Sequence, residues 1–214
     1  MIRALAAQIF ARVVTVFARL LTGVRPDWRG CLPESRQRVY FANHASHGDF
    51  VLIWTVLPPA LRRITRPVAG ADYWAKGAMR RFIGERVFRA VLIDRVAVEH
   101  TRDPLAVMGE SLAAGDSLII FPEGTRNTTE APLLSFRSGL YHLARAWPGV
   151  EFVPVWIDNI SRVMPKGELL PIPLLCSVTF GTPLVLRTDE GKDEFLERAR
   201  DALLALAPGK RRDA

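Results

Sequence analysis

The segment over residues 43–49, Asn-His-Ala-Ser-His-Gly-Asp, has residue types and a spacing that suit acid–base chemistry. A carboxylate that accepts a hydrogen bond from one ring nitrogen of a histidine fixes the tautomer of that ring. The second ring nitrogen can then take a proton from a substrate hydroxyl. His44 and Asp49 are therefore a candidate general base and its orienting partner.

Two other interpretations of this segment stay open. Ser46 and Asp49 have the spacing of a capping box, which starts a helix and needs no catalytic role. His44 and His47 could instead be a metal pair, although no further Cys, His or carboxylate falls at a recognisable ligand spacing.

A second candidate segment covers residues 121–126, Phe-Pro-Glu-Gly-Thr-Arg, and follows a run typical of a buried strand. Gly124 allows close approach of the backbone, and Thr125 and Arg126 can hold phosphate oxygens through charge-assisted hydrogen bonds. Arg137 adds a further cation where a helix is predicted to begin, a position that suits anions. The segment is equally compatible with a plain turn.

Asp94 and Arg95 come directly after a third predicted strand. Such a pair is commonly a structural ion pair, but Arg95 could also be a second clamp on a phosphate. No Ser lies in a Gly-x-Ser-x-Gly elbow, and no Cys accompanies the histidines in a family-like arrangement. The simplest mechanism is therefore direct attack by a substrate hydroxyl that His44 activates.

The elements that must position these residues alternate between strands and helices. Period and punctuation predict strands over residues 37–42, 64–69, 87–93, 117–121, 151–157 and 175–180, and helices over 49–57, 73–82, 103–114, 137–147 and 193–206. This alternation predicts an α/β fold with a mostly parallel central sheet flanked by helices. Ligand sites in such sheets lie at the carboxyl ends of strands, where both candidate segments fall.

The N-terminal segment predicts a helix with a wide apolar face. At about 100° per residue, Gln8, Arg12, Thr15, Arg19 and Thr22 fall on one side, and apolar residues cover much of the rest. The arginines interrupt any run long enough to span a bilayer. Such a helix suits the interface plane of a membrane, or it packs on the core of its own domain.

The composition of the chain limits the classes of molecule that it is expected to bind. The chain has 214 residues and a formal net charge of +7, which attracts polyanions such as anionic lipid headgroups, phosphorylated small molecules or nucleic acid. The basic residues are dispersed and no helix-turn-helix or RNA-binding signature is present, so we expect no nucleic-acid partner. Cys31 and Cys176 are far apart and predict neither a disulfide scaffold nor a zinc site.

In their order along the chain, these segments resemble the glycerolipid acyltransferase family that includes the 1-acylglycerol-3-phosphate acyltransferases. The His-x4-Asp block is matched by residues 43–49, and a second block by Gly84 with Ile93-Asp94-Arg95. Residues 121–126 match the Phe-Pro-Glu-Gly-Thr-Arg block, and residues 153–157 resemble an apolar Val-Pro-Val block. The resemblance covers roughly residues 36–185.

The resemblance implies roles for the matching residues. His44 would be the general base and Asp49 its partner. The phosphate of a lysophospholipid acceptor would be bound by a set of residues from the second and third blocks, namely Arg95, Glu123, Gly124, Thr125 and Arg126. Acyl-CoA or acyl-carrier protein would be the donor, and the resemblance implies no metal and no bound cofactor.

It also implies a location. We expect a membrane-associating helix over residues 1–26, an acyltransferase domain over 27–208 and a basic tail over 209–214, with peripheral or monotopic attachment to the cytoplasmic face of a membrane. The stretch 158–173 follows the fourth block and is a hypothetical determinant of acceptor choice.

Three functions are compatible with the sequence at this point. The first is acyl transfer to 1-acyl-glycerol-3-phosphate, giving phosphatidic acid. The second keeps the chemistry but uses another acceptor, such as glycerol 3-phosphate or an amino-acid-containing lysolipid, because an arginine also binds a carboxylate. The third is a non-catalytic protein that binds anionic lipid.

Overall fold

The computed structural model describes residues 2–46, 48–74, 76–93, 103–158 and 175–208. Within them the helices are α1 (Ile2–Thr22), α2 (Asp49–Val56), α3 (Pro59–Ile64), α4 (Ala71–Trp74), α5 (Ala78–Phe82), a π-helix (Ile83–Val87), α6 (Pro104–Ala113), α7 (Gly139–Ala146) and α8 (Lys192–Leu204). The strands are β1 (Arg25–Trp28), β2 (Arg38–Ala42), β3 (Thr65–Gly70), β4 (Val91–Ile93), β5 (Ser117–Ile120), β6 (Glu151–Asp158) and β7 (Ser177–Phe180).

These strands form one sheet in the order β1-β7-β6-β2-β5-β3-β4. Strands β2 to β6 are all parallel to one another, whereas β7 is antiparallel to β6 and β1 is parallel to β7. The predicted α/β fold with a mostly parallel sheet and flanking helices is confirmed. Because β2 and β5 are adjacent and parallel, the segments that follow them lie side by side at the carboxyl edge of the sheet.

The sheet separates two apolar layers. Tyr40 and Ala42 of β2 point into a layer that includes α2, while Val39 and Phe41 point into a layer formed with α6, α7 and α8. This division follows from the alternation of side chains along a strand. All five residues of β2 are buried, as expected for a central parallel strand covered on both faces.

The structure corrects the prediction between residues 71 and 93. The single helix predicted over 73–82 is wrong, because α4 and α5 are separate and α5 continues into the π-helix. Strand β4 therefore begins at Val91 rather than at residue 87. The sequence pattern also missed β1, whose Arg-Pro-Asp-Trp sequence contains Pro and Asp, which are depleted in strands, and α3, which begins at Pro59.

Helix α1 packs on the domain through small and hydroxyl side chains. Ala7, Thr15, Ala18 and Thr22 are buried, and the two threonines donate hydrogen bonds to the carbonyls of Ala11 and Ala18. The opposite side exposes a row of large apolar residues, which comprises Ile9, Phe10, Val13, Val16, Phe17 and Leu20. No helix within the described residues combines the length and the apolar character that crossing a membrane requires.

Asn43 ties the end of β2 to β6 immediately before the candidate catalytic histidine. Its side-chain amide donates to the carbonyl of Ile157 at 3.0 Å, and its side-chain oxygen accepts the amide of Ile157 at 2.8 Å. The side chain thus continues the strand pairing by one more rung. Asn43 and Ile157 are both buried. The backbone N–H and C=O of Ile157 therefore depend on the Asn43 side chain for their hydrogen bonds.

We predict that Asn43→Ala lowers the free energy of unfolding by about 2–3 kcal/mol, because it leaves two buried backbone groups without a partner. Urea denaturation at pH 7 measures this loss. Asn127→Ala is the matched control, since Asn127 makes its side-chain hydrogen bonds to Thr129 and Ala131 at the surface. Equal losses in the two variants would contradict the role given to Asn43.

Candidate active site

One oxygen of Asp49 organises the loop that carries His44. Asp49 Oδ2 lies 2.8 Å from His44 Nδ1, and it also accepts the backbone amides of Ala45 at 2.7 Å and Ser46 at 2.9 Å. The Asp49 side chain is 1% exposed. Because this oxygen serves as the acceptor for two backbone donors, Nδ1 of His44 carries the proton and donates to it.

The predicted capping box is only half formed. Asp49 reaches back to the amide of Ser46, as such a box requires, but Ser46 Oγ accepts from Gly48 at 3.3 Å rather than from Asp49. Gly48 occupies the cap position and offers no side chain. The same carboxylate therefore starts α2 and orients the histidine, so the structural and the chemical interpretations hold together.

The ring of His44 presents its second nitrogen to the site. The ring stacks on Phe121, with 4.2 Å between the ring centroids and 18° between the planes, and the side chain is 12% exposed. Among the described residues, Nε2 has no hydrogen-bond partner. With Nδ1 protonated, Nε2 is the acceptor nitrogen, which is the form that a general base needs.

Glu123 binds the backbone on both sides of the site. Its Oε1 accepts the amide of His44 and its Oε2 accepts the amide of Leu134, each at 2.8 Å. The carbonyl of His44 in turn accepts the amide of Asn127 at 2.6 Å. The backbone of His44 is thereby held between Glu123 and Asn127, and the segment after β5 is held in register with the segment after β2.

The surroundings of Glu123 favour a positioning role over contact with a substrate phosphate. The residue is 3% exposed and both of its carboxylate oxygens already accept backbone amides. Burial raises the pKa of Glu123 above its ordinary value, and the amides of Leu134 and His44 oppose that rise. A carboxylate would also repel a phosphate, whereas the Glu123 carboxylate here accepts hydrogen bonds from backbone amides of two different loops.

Gly124 is required by its conformation and by a neighbour. Its φ is +70°, a left-handed conformation that favours glycine. A Cβ at this position would lie 2.3 Å from Arg137 Nε, so the Arg137 side chain lies directly over the glycine. Thr125, Arg126 and Arg137 are exposed, which leaves two guanidinium groups and a hydroxyl on the surface of this turn.

The structure thus brings His44, Asp49 and the turn at 123–126 together, and it adds residues that the sequence did not single out as partners. The sequence indicated Arg137 only as a cation at a helix start, and it gave no signal for Phe121 and Asn127 as neighbours of His44. Arg95, Asp94 and His47 lie outside the described residues, as do residues 159–173 of the stretch expected to shape acceptor choice. The roles of all these residues stay predictions.

A metal site would need a cluster of suitable ligands. Within the described parts of the chain, no group of three or more His, Cys, Asp or Glu residues is placed to hold a metal ion.

This chain matches a known protein family and is similar to named relatives. The family described as Acyltransferase matches residues 29–158. A 1-acyl-sn-glycerol-3-phosphate acyltransferase of Chlamydomonas reinhardtii is 26% identical over 185 residues, which cover 82% of this chain and 50% of that protein. A protein of the same name from Cocos nucifera is 28% identical over 179 residues, which cover 78% of this chain and 52% of the relative. The chain therefore spans about half the length of these relatives.

A solved structure supports the fold. The crystal structure of the 1-acyl-sn-glycerophosphate (LPA) acyltransferase PlsC from Thermotoga maritima superposes with a TM-score of 0.69 and 22% sequence identity. The match covers 94% of this chain and 79% of that one. At this identity the likeness shows a shared fold.

We predict that Glu123→Gln lowers kcat of the acyl transfer proposed below by about 10- to 100-fold, because a small displacement of a catalytic group costs a rate factor of this order. The amide group of Gln presents N–H to one of the two backbone donors and so loosens the His44 loop. The KM for a phosphorylated acceptor stays within about twofold, because a positioning residue does not contribute to ground-state binding.

Glu190→Gln is the matched control for this prediction. Glu190 is also buried, and it pairs with Arg198 beside α8, away from the carboxyl edge of the sheet. The control loses stability without losing kcat. A Glu123→Gln variant with normal kcat and a raised KM would instead support direct contact between Glu123 and the acceptor.

Proposed function

Because the chain belongs to the acyltransferase family, we propose that it is an O-acyltransferase that moves a fatty acyl group from a thioester to the free hydroxyl of 1-acyl-glycerol-3-phosphate, giving phosphatidic acid. The observation that carries this proposal is the pairing of His44 Nδ1 with buried Asp49, which leaves Nε2 as a base beside a cationic turn. The thioester donor is acyl-CoA or acyl-carrier protein.

The proposed reaction needs no enzyme nucleophile. Nε2 of His44 takes the proton of the acceptor hydroxyl while the hydroxyl oxygen attacks the thioester carbonyl carbon. The resulting imidazolium is stabilised by Asp49, as in other His-carboxylate pairs. When the C–S bond breaks, the same proton passes to the leaving thiolate, so the products are an ester and a free thiol and His44 is again neutral.

The phosphate of the acceptor is proposed to bind the turn after β5. Thr125 offers a hydroxyl, and Arg126 and Arg137 offer guanidinium groups that suit phosphate oxygens. The turn is tied to His44 through Glu123 and Asn127, so a phosphate held there is at a fixed distance from the base. Arg95 remains a proposed further contact.

The names of the relatives favour 1-acyl-glycerol-3-phosphate among the possible acceptors. The C. reinhardtii and C. nucifera proteins both carry this acceptor in their names. Glycerol 3-phosphate would satisfy the same turn, and a lysolipid with an amino-acid headgroup would present a carboxylate to the arginines. These acceptors are distinguished by direct comparison in the assay below.

We further propose that α1 attaches the protein to the cytoplasmic face of a membrane. Val13, Val16 and Phe17 are 57%, 55% and 63% exposed, and Leu20 is 80% exposed, on the side of α1 that faces away from the domain. An apolar row of this kind at a membrane interface leaves water and enters the boundary between headgroups and acyl chains. Acceptor and product, which are both lipids, are then available to the site.

We predict that the purified protein releases thiol from a long-chain acyl-CoA or acyl-carrier protein only when lysophosphatidic acid is added, and that mass spectrometry detects phosphatidic acid. His44→Ala lowers kcat by roughly 100-fold or more, since general base catalysis typically contributes 10²–10⁴-fold. Glycerol 3-phosphate and an amino-acid-containing lysolipid are tested in parallel as acceptors.

His142→Ala is the matched control for the His44 variant. His142 is exposed in α7, on the other side of the sheet from α2, and its removal leaves turnover unchanged. Acceptor-independent thiol release would indicate hydrolysis instead of transfer. Full activity of a folded His44→Ala variant would remove the proposed mechanism, and vesicle binding without turnover on any donor would support a non-catalytic lipid-binding protein.

The membrane proposal predicts that Val16→Ser weakens binding to phosphatidylcholine vesicles by about tenfold, because one buried valine side chain contributes roughly 1.5 kcal/mol or more. Flotation with vesicles measures the partition coefficient. Val185→Ser is the matched control, since Val185 is 50% exposed but lies outside α1. The attachment through α1 is refuted if both variants bind as the unmodified protein does.

A further inference from the structure

A groove of about 780 Å³ lies between α1, α3 and the end of the π-helix. Its floor includes Trp54 near the end of α2 and Thr65 at the start of β3. Thr65 pairs with Ser117, the first residue of β5, so the groove is at the amino edge of the parallel strands. His44 and the turn at 123–126 follow the opposite, carboxyl edge. The groove is therefore distinct from the proposed active site.

Cations dominate the lining of this groove. Its charged residues are Arg12, Arg62, Arg63, Arg86, Arg89 and Glu85. Of these, Arg89 also contacts Asp116 at 3.4 Å. The five guanidinium groups are thus opposed by two carboxylates, Glu85 in the lining and Asp116 beside Arg89, and the groove keeps a positive charge.

Arg62 holds one of these charges in place without a carboxylate. Its guanidinium donates to the carbonyls of Trp54, Thr55 and Leu57 and to Thr15 Oγ1, all neutral acceptors, and it lies 4.9 Å from the centre of the Trp54 ring. Burial lowers the pKa of Arg62, and the nearby Arg19 charge lowers it further. An anion in the groove would relieve this repulsion between cations.

The two outer cations, Arg63 and Arg86, do not make structural hydrogen bonds of this kind with described residues. Arg63 and Arg86 are exposed, and the structure records no hydrogen bond or ion pair from either guanidinium to another described residue. Arginine is well suited to phosphate because its planar fork donates two parallel hydrogen bonds to phosphate oxygens. Arg63 on α3 and Arg86 on the π-helix both line the groove, and they approach it from different elements.

The mouth of the groove lies at the border of the apolar face of α1. At about 100° per residue, Gln8 and Arg12 fall between the buried side of the helix and the exposed apolar row. Both line the groove. When the apolar row enters the acyl-chain region of a membrane, this border is at the depth of the lipid headgroups.

We propose that this groove binds the phosphate headgroup of an anionic phospholipid in the membrane surface, separately from the acceptor that enters the active site. The assignment rests on the proposed attachment of α1 to a membrane, and it adds a lipid-selective contact to that attachment. A membrane lipid is favoured over a soluble phosphate compound because the exposed apolar row of α1 lies next to the cationic lining of the groove. A headgroup with its acyl chains meets both surfaces at once.

The test compares flotation of the full chain with vesicles of phosphatidylcholine alone and of phosphatidylcholine with phosphatidylglycerol. Arg63→Gln combined with Arg86→Gln lowers partition onto the anionic vesicles by roughly 30-fold, because each basic side chain near an anionic surface contributes about fivefold. Partition onto neutral vesicles, which depends on the apolar row, stays unchanged. Neither residue lies in the proposed catalytic site, so turnover with substrates in detergent also stays unchanged.

The matched control is Arg145→Gln combined with Arg187→Gln. Both residues are exposed, and they belong to segments that pack on the layer across the sheet from α1. This control removes the same charge and keeps partition within about twofold, since charges farther away than a Debye length are screened.

Four outcomes are decisive. Selective loss in the groove variant supports the proposal. Equal loss in both double variants overturns the groove as the site while membrane attachment stands. Failure of the unmodified protein to bind either vesicle overturns the groove together with the attachment on which it rests. Binding of inorganic phosphate that needs the groove arginines, together with equal partition of the unmodified protein onto neutral and anionic vesicles, assigns the groove to a soluble phosphate and overturns the lipid.

Discussion

A single carboxylate oxygen, Asp49 Oδ2, accepts three hydrogen bonds from three consecutive residues, and the site depends on this interaction. The donors are the ring of His44 and the backbone amides of Ala45 and Ser46. A buried carboxylate needs such donors, because burial of an unpaired charge is very costly. The loop supplies these donors by curling around Oδ2, and the ring nitrogen of His44 that is not bonded to Asp49, Nε2, is left for the site. The same hydrogen bonds to Asp49 thus start α2 and orient the base.

Glu123 applies the same principle from the neighbouring strand. It is buried and uses both oxygens on backbone amides, one of which belongs to His44. The base is therefore fixed through its ring by Asp49 and through its backbone by Glu123. The parallel pairing of β2 with β5 brings the two carboxylates within reach of one histidine. The cationic turn and the base are thereby held at fixed positions relative to each other.

Much of the fold and part of the site could be predicted from the sequence. The apolar runs of β2 and β5 indicated buried parallel strands, and the short interval from His44 to Asp49 allowed their pairing before any contact was known. The role of Glu123 could not be predicted, because its partners are backbone amides whose positions depend on the finished loops. Strand β7 was predicted as a strand, but its antiparallel direction could not be read from its own residues.

The pattern of α1 separated polar from apolar residues without deciding which side of the helix packs on the domain. Small residues such as Ala7 and Ala18 decide it, because they let the helix approach closely and leave the large side chains outside.

The most direct measurement is a structure of the protein with lysophosphatidic acid bound and no acyl donor present. We predict that the free hydroxyl of the lipid lies within about 2.6–3.2 Å of His44 Nε2, the reach of a general base. We also expect the lipid phosphate to contact Thr125, Arg126 and Arg137. A phosphate bound elsewhere, with the hydroxyl beyond the reach of Nε2 even through one water molecule, would contradict the central claim that His44 activates the acceptor.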